Sequence, residues 1–158
     1  MAETPRKELD AIELLMQDHR EVESLFREFE YLQQNDRDAS PLVEAACTEL
    51  RMHHTLKTEL FCPALLSASK DEGMEGMLAD AADAHQTIRD LIELVEQTDD
   101  DNEKRDAHFV VLAEHVERHF EEAETQVFPR AKQLKRLDLL SIAVRMKERR
   151  TELMAASH

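Results

Sequence analysis

The chain has 158 residues, enough for one domain that buries its own core, and its 35 acidic and 20 basic residues give a formal net charge of -15. A field of that sign repels phosphate backbones and anionic lipid surfaces, so nucleic acid is not expected as a partner. Only two glycines and four prolines interrupt a composition rich in helix-forming residues, which predicts an all-α fold.

No segment has the roughly 20 consecutive apolar residues that a membrane helix needs. The first ten residues, MAETPRKELD, lack the apolar stretch of a secretory signal, so we expect a cytoplasmic protein. Cys47 and Cys62 lie on one predicted helix, about 22 Å apart along its axis. That separation excludes a disulfide between them, and neither has a partner at the CxxC spacing of a thiolate zinc site.

The first predicted helix covers residues about 11 to 33. Asp10 and Glu13 have the spacing of a capping box at its start. Apolar residues and one histidine then recur at intervals of three and four, which predicts a buried helix face. This face consists of Ile12, Leu15, Met16, His19, Val22, Phe26 and Phe29.

The second predicted helix covers residues about 41 to 66, with Ser40 as N-cap and Pro41 at its first position. Pro63 is expected to kink or end it. Its inward line is Val43, Ala46, Leu50, His53, Lys57, Leu60 and Ala64. The next stretch, SASKDEGMEGM, holds both glycines and predicts a loop.

The remaining helices are predicted at about 75 to 97, 103 to 127 and 131 to 156. Together these segments predict an antiparallel up-down-up-down four-helix bundle with an additional C-terminal helix, in one domain of residues 1–158. The inward residues are Met77, Ala81, His85, Ile88, Ile92 and Val95 on the third helix, His108, Val111, Leu112, His115, His119 and Val127 on the fourth, and Leu134, Leu137, Ile142, Met146 and Leu153 on the last.

Four histidines fall on these inward lines, one on each bundle helix: His19, His53, His85 and His119. A single buried histidine is more often satisfied by one hydrogen bond than bound to a metal. Four of them can converge at one depth of an antiparallel bundle, where unpartnered polar rings would be costly. A shared metal ion would satisfy them together, so the pattern predicts a metal site inside the bundle.

Four segments carry a resemblance to a known family. They are LLMQDHREVESLFREFE, ELRMHHTLKTELFCPAL, DAHQTIRDLIELVE and VLAEHVERHFEEAETQVFPRA, and together they resemble the hemerythrin-like (HHE cation-binding) family. The resemblance implies a four-helix bundle that holds a non-haem di-iron centre through histidines and two bridging carboxylates. It places His19, His53, His85 and His119 in ligand positions and implies oxygen binding or, as in various members of the family, a response to nitric oxide, peroxide or iron.

The chain departs from the family pattern at both bridging-glutamate positions, where Lys57 and Ala123 stand. Two interpretations of Lys57 are open: it snorkels at the bundle edge, paired with Glu23 or another acid, or its charge occupies the place of a lost metal. The next acid after Ala123 is Glu124, which lies five residues past His119 and is turned about 140° around the helix.

Three substitute ligands are candidates. Glu23 follows His19 by four residues and Glu124 follows His119 by five, a spacing that hemerythrin itself uses for one carboxylate. His115 and His119 are four residues apart and can bind one metal as a pair. His54 is expected to point sideways from the line of His53 and to be exposed.

Three functions follow from these patterns. The first is a metal-binding protein with a histidine-rich non-haem site, with iron favoured over zinc, that binds or senses a small ligand such as oxygen or nitric oxide, for example in a stress response. The second is a metal-poor or metal-free module that has lost di-iron chemistry and engages a protein partner or forms a homodimer. The third is haem held between opposed histidines.

Overall fold

A computed structural model describes residues 8–69 and 71–156, and within them the chain is helical without any β-strand. The helices are α1 (Ala11–Gln34), α2 (Ser40–Leu56), α3 (Cys62–Ala68), α4 (Glu72–Gln97), α5 (Asn102–Glu122), α6 (Phe128–Lys132) and α7 (Leu139–Ala156). Two π-helical turns, π1 (Lys57–Phe61) and π2 (Ala123–Val127), join α2 to α3 and α5 to α6. The predicted all-α class is confirmed. The domain bounds 1–158 stay a prediction, since both ends lie outside the described residues.

The order of buried residues along each helix shows the antiparallel arrangement. One apolar cluster, here called cluster A, surrounds Phe26, Leu50, Ile92 and Phe109. A second, cluster B, surrounds Leu15, Leu65, Met74 and Phe128. The chain runs from B to A along α1 and α4 and from A to B along α2 and α5, so four helices alternate in direction. Helix α7 packs on α1 and α2 and adds Ile142 and Met146 to cluster B.

The helix starts depend on local capping. The Asp10–Glu13 capping box of α1 is confirmed. The prediction that Ser40 is an N-cap is wrong, because Ser40 is already helical and donates its hydroxyl to Asp38. The predicted glycine loop is also wrong. Asp71 accepts a hydrogen bond from the Gly73 N–H and caps α4, so both glycines lie in the first turns of that helix.

Pro63 does not end the second predicted helix. The consecutive segments α2, π1 and α3, here called the second rod, form one continuous helical stretch in which π1 precedes Pro63 and α3 contains it. The Cys62 N–H donates to the carbonyl of Lys57, five residues back. The extra residue in this turn relieves the clash that a proline ring makes with the preceding helical turn. It also rotates the following helix, so that Phe61 and Leu65 are fully buried rather than the predicted Leu60 and Ala64.

The predicted face of the fourth helix is confirmed at Leu112 and His119 and wrong at its other positions on α5. Val111 is 41% exposed, and His108 and His115 are partly exposed. The buried side chains of α5 are Arg105, Phe109, Leu112, Val116, His119 and Phe120. The final helix also begins later than predicted, at Leu139.

Two further observations concern the rest of the described chain. Cys47 and Cys62 are free thiols, as the sequence predicts. Among the described helices, a segment with the length and hydropathy of a membrane span is not found.

Candidate metal site

Five buried histidines form a layer between clusters A and B, here called the imidazole layer: His19, His53, His54, His85 and His119. Each is at most 4% exposed. The ring centroids of His19 and His53 are 5.0 Å apart, those of His54 and His85 are 4.8 Å apart, and those of His85 and His119 are 4.5 Å apart. The fold therefore brings together the four histidines predicted from the sequence. It adds His54, whose predicted exposure is wrong.

The imidazole layer carries an excess of unpartnered nitrogen atoms. Among the residues that the structure describes, six buried ring nitrogens have no hydrogen-bond partner: Nε2 of His19, His53 and His85, Nδ1 of His119, and both nitrogens of His54. Buried polar groups in proteins nearly always have a partner. A neutral imidazole always carries one N–H, so His54 leaves a donor without an acceptor in either tautomer. Nitrogen lone pairs gathered in this way suit a transition-metal ion.

Two of these rings are oriented from outside by carboxylates. The Nδ1 atom of His53 lies 3.1 Å from Oδ2 of Asp18, and that of His19 lies 3.1 Å from Oε2 of Glu124. A neutral imidazole that donates from Nδ1 keeps its Nε2 lone pair free. This carboxylate-to-histidine arrangement is the one that commonly supports metal-binding histidines.

The two glutamates proposed as ligands lie at the edge of the layer. Arg20 donates to both carboxylate oxygens of Glu23, at 2.8 and 2.7 Å, and also to Glu124. Both glutamates are partly exposed. His115 is partly exposed too, and no ring contact joins it to the layer within residues 8–69 and 71–156.

Lys57 reaches into the layer instead of snorkelling to the surface. It is 3% exposed, and its Nζ lies 3.1 Å from Nε2 of His119. Burial lowers the pKa of the Lys57 amine to about 8, and no carboxylate pairs with it in the described structure. An ammonium would have to donate to His119, whereas a neutral amine can also accept its Nε2–H. Ala123, the other substituted position, is buried as well.

The five imidazoles are held in their neutral form. Burial lowers the pKa of His54 to about 3 and that of His85 to about 2, with Lys57 as the next cause for each. Burial also lowers the pKa values of His19, His53 and His119 far below 6.5. At neutral pH these rings therefore present lone pairs rather than positive charges.

The imidazole nitrogen atoms lie farther apart than the ligand atoms of an occupied metal site. In the part of the chain that the structure describes, three ligand atoms come within 4.8 Å of one another only at Asp18, Glu21 and Glu49. Arg150 already donates to Asp18 at 2.6 Å and to Glu49 at 2.9 Å, so a cation occupies that acidic group. The imidazole layer fits a metal in donor type and number, but its rings have to turn to converge on one ion.

A cavity of about 300 Å³ leads to the layer. Lys57, His119 and Ala123 contribute to its wall, together with the apolar residues Phe61 and Leu78. Small molecules can therefore approach the amine and the imidazole from this side.

Two residues that support the layer do not stand out in the sequence. Asp18 precedes His19, and its buried position could have been suspected from the DH pair, because an acid on the apolar side of a helix needs a partner. Arg150 comes from α7, and no periodic pattern connects it with Asp18. His54 is adjacent to His53 in the sequence, and helical periodicity does not predict that both side chains face inward.

Comparison of the chain with curated proteins and with solved structures finds no match. Residues 10–131, which span α1 to the last turn of α6, match the hemerythrin HHE cation binding domain. The match covers every residue of the imidazole layer and leaves α7 outside. With most of its length matched, the chain belongs to the hemerythrin HHE cation binding domain family.

Proposed function

We propose that this protein binds a transition-metal ion, with iron favoured over zinc, in its imidazole layer, and that a diatomic ligand such as oxygen or nitric oxide binds there. The observation that carries this proposal is the set of six buried ring nitrogens without partners. Imidazole nitrogen suits iron, copper, nickel and zinc alike. A bound iron ion would supply an open coordination position for the diatomic ligand.

The residues that would hold the metal are His19, His53, His85 and His119, with His54 as an additional donor. Asp18 and Glu124 would orient His53 and His19 through their Nδ1 atoms. Glu23 would hold Arg20 and thereby position Glu124. We place His115 outside this set. The cavity beside Lys57 and His119 would admit the small ligand.

The proposal is tested by metal analysis of untagged protein that has been incubated with ferrous iron in the absence of oxygen. We expect bound iron and an increase in melting temperature, because a ligand that binds only the folded state stabilises it. Two measurements distinguish the alternatives: a Soret band in the optical spectrum would identify haem, and zinc rather than iron in the elemental analysis of the protein as purified would favour zinc.

The variants His119→Ala and His115→Ala form a matched pair on one helix. His119 is buried in the layer and His115 is partly exposed. We expect His119→Ala to lose iron and His115→Ala to retain it. Equal iron content in both variants would contradict the proposed ligand set.

One observation favours a second function, that of a metal-free interaction module. Lys57 fills part of the layer at 3.1 Å from His119, and the imidazole nitrogens do not converge. This alternative predicts a folded protein without bound metal and with the same melting temperature in the presence and absence of iron. The double variant Lys57→Glu with Ala123→Glu should then acquire iron binding that the natural chain lacks.

A further inference from the structure

The cavity of about 300 Å³ beside the imidazole layer combines a polar inner end with an apolar wall. Lys57 and His119 lie at its inner end, and each is at most 4% exposed. At about 30 Å³ for each water molecule, the space would hold on the order of ten waters, so it has room for an organic molecule of a few carbon atoms. Most of the remaining wall is apolar and includes Phe61, Leu78, Ala123 and Val127.

Lys57 offers this cavity hydrogen-bond donors that no acceptor among the described residues uses. Its Nζ has one neighbour there within hydrogen-bonding distance, Nε2 of His119 at 3.1 Å, and no carboxylate pairs with it. Nζ carries two or three N–H bonds, so at least one remains for a ligand, and this is true of the neutral amine and of the ammonium alike. A buried donor without an acceptor is costly, so a ligand that brings an acceptor stabilises the folded protein.

Ala123 leaves room for such a ligand. It follows His119 by four residues, and its N–H donates to the carbonyl of His119, so both side chains lie on one side of the helix. The side chain of Ala123 is a single methyl group that is 3% exposed and contributes to the cavity wall. A longer acidic side chain at this position would supply an acceptor from within the chain, whereas alanine requires the acceptor to come from outside.

We propose that this cavity binds a small aliphatic monocarboxylate, whose carboxylate accepts a hydrogen bond from Nζ of Lys57 and whose alkyl chain contacts the apolar wall. A carboxylate supplies two acceptor oxygens and no donor, which matches a site that has spare donors. A halide or phosphate ion would also pair with Lys57, but it would leave the apolar wall without a contact. The apolar wall therefore favours an organic acid over an inorganic anion.

Two exposed acids narrow the choice of ligand further. Asp80 and Glu122 also line the cavity, and their exposure places them at its outer end. Their charges repel a second negative group on the ligand, so dicarboxylates and phosphate esters are disfavoured. A ligand with one carboxylate directed inward and an uncharged tail avoids this repulsion.

This carboxylate site is independent of the metal-binding function proposed above, because Lys57 rather than a metal ion holds the ligand. Metal-free protein is therefore sufficient to test it. Butyrate binding by protein that takes up no iron would support the site and contradict the metal-binding function. Iron uptake without butyrate binding would overturn the inference and leave that function standing.

The first experiment titrates acetate, propionate and butyrate into metal-free full-length protein at constant ionic strength and follows the NMR spectrum. We expect saturable binding that tightens by up to about fourfold for each methylene buried against the apolar wall. Nuclear Overhauser contacts from the butyrate methyl group to Phe61 and Ala123 should locate the ligand in the natural chain, and this does not depend on the folding of a variant. Chloride and succinate should not saturate the site. Equal spectral changes with chloride, or butyrate contacts away from this wall, would overturn the inference.

The second experiment compares butyrate binding in two matched pairs of variants. Lys57→Met should weaken it by about tenfold or more, whereas Lys104→Met changes an exposed lysine and should leave it unchanged. Ala123→Leu keeps the amine but fills the cavity, so it should also lose binding, and Ala82→Leu on the exposed side of α4 should retain it. Full binding in Lys57→Met or Ala123→Leu, or an equal loss in the two controls, would overturn the inference.

Discussion

Asp18 joins two parts of the molecule through one buried carboxylate. It is 5% exposed, and its oxygens accept hydrogen bonds from Nδ1 of His53 at 3.1 Å and from Arg150 at 2.6 Å. Burial raises the pKa of Asp18, and Arg150 opposes that shift. The carboxylate thereby selects the tautomer of His53 and anchors α7 to the same point.

The substitution Asp18→Asn tests this double role. An amide can accept from only one of the two donors and turns an N–H toward the other, so we expect a loss of about 1–3 kcal/mol in the free energy of unfolding. If His53 binds metal, affinity should also fall by about 10- to 100-fold. Urea unfolding and metal titration measure the two effects. Glu28→Gln on the exposed side of α1 is the control, and equal losses in both variants would contradict the assignment.

Lys57→Met tests whether the buried amine costs stability. Methionine is unbranched and apolar, and it removes a group whose pKa burial lowers to about 8. At pH 7 we expect the free energy of unfolding to rise by about 1–3 kcal/mol, because the desolvation cost exceeds the loss of one hydrogen bond. The exposed control Lys104→Met should change it by less than about 0.5 kcal/mol. A less stable Lys57→Met protein would show that the amine has a favourable partner.

At the scale of elements, the two π turns have the same position relative to a proline. Each is followed by a residue and then a proline, Pro63 after π1 and Pro129 after π2. Each inserts one residue into the helical turn and so rotates the helix beyond it. In the second rod this rotation carries the buried face from Lys57 to Phe61 and Leu65, which complete cluster B below the imidazole layer.

Two leucines in this rod test the rotation. Leu65 is fully buried, whereas Leu60, on the face that a regular α-helix would bury, is only partly buried. We expect Leu65→Ala to cost about 2–5 kcal/mol of unfolding free energy, and Leu60→Ala less than half of that cost. Chemical denaturation of both variants measures the difference. A larger loss for Leu60→Ala would mean that the rod continues as a regular α-helix.

At the scale of the whole molecule, a polar layer separates two apolar clusters. Clusters A and B supply the buried apolar area, and the imidazole layer between them consists of rings that stay neutral. Helix α7 covers cluster B and reaches the layer through Arg150. The layer is thus enclosed by apolar packing on both sides, so its protonation is linked to unfolding.

This linkage predicts acid instability. The five imidazoles have pKa values below 6.5 in the folded protein, so below pH 6.5 the unfolded chain binds more protons. The free energy of unfolding should therefore fall as the pH drops through 6.5, by up to about 1.4 kcal/mol per pH unit for each imidazole, and these groups should contribute no slope above that range. Thermal unfolding of metal-free protein between pH 4 and 8 measures this.

A matched pair assigns the effect to the layer. His54→Phe removes one buried imidazole and should reduce the slope below pH 6.5, whereas His115→Gln changes a partly exposed histidine and should leave the slope nearly unchanged. A melting temperature that stays constant from pH 7 to pH 5 in the natural chain would contradict the prediction.

The sequence by itself determined the helices, their alternation in direction and the inward position of His19, His53, His85 and His119. Helical periodicity is a property of neighbouring residues, so it can be read along the chain. Short polar breaks between long helices likewise favour antiparallel neighbours.

Only the tertiary structure decided which side chains contact those histidines and their supporting residues. The contact of Lys57 with His119 and that of Asp18 with Arg150 join residues 62 and 132 positions apart. Helical periodicity contains no information about such pairs. The inward turn of His54 and the rotation at π1 depend on packing against other helices, because one inserted residue shifts the buried face of everything that follows it.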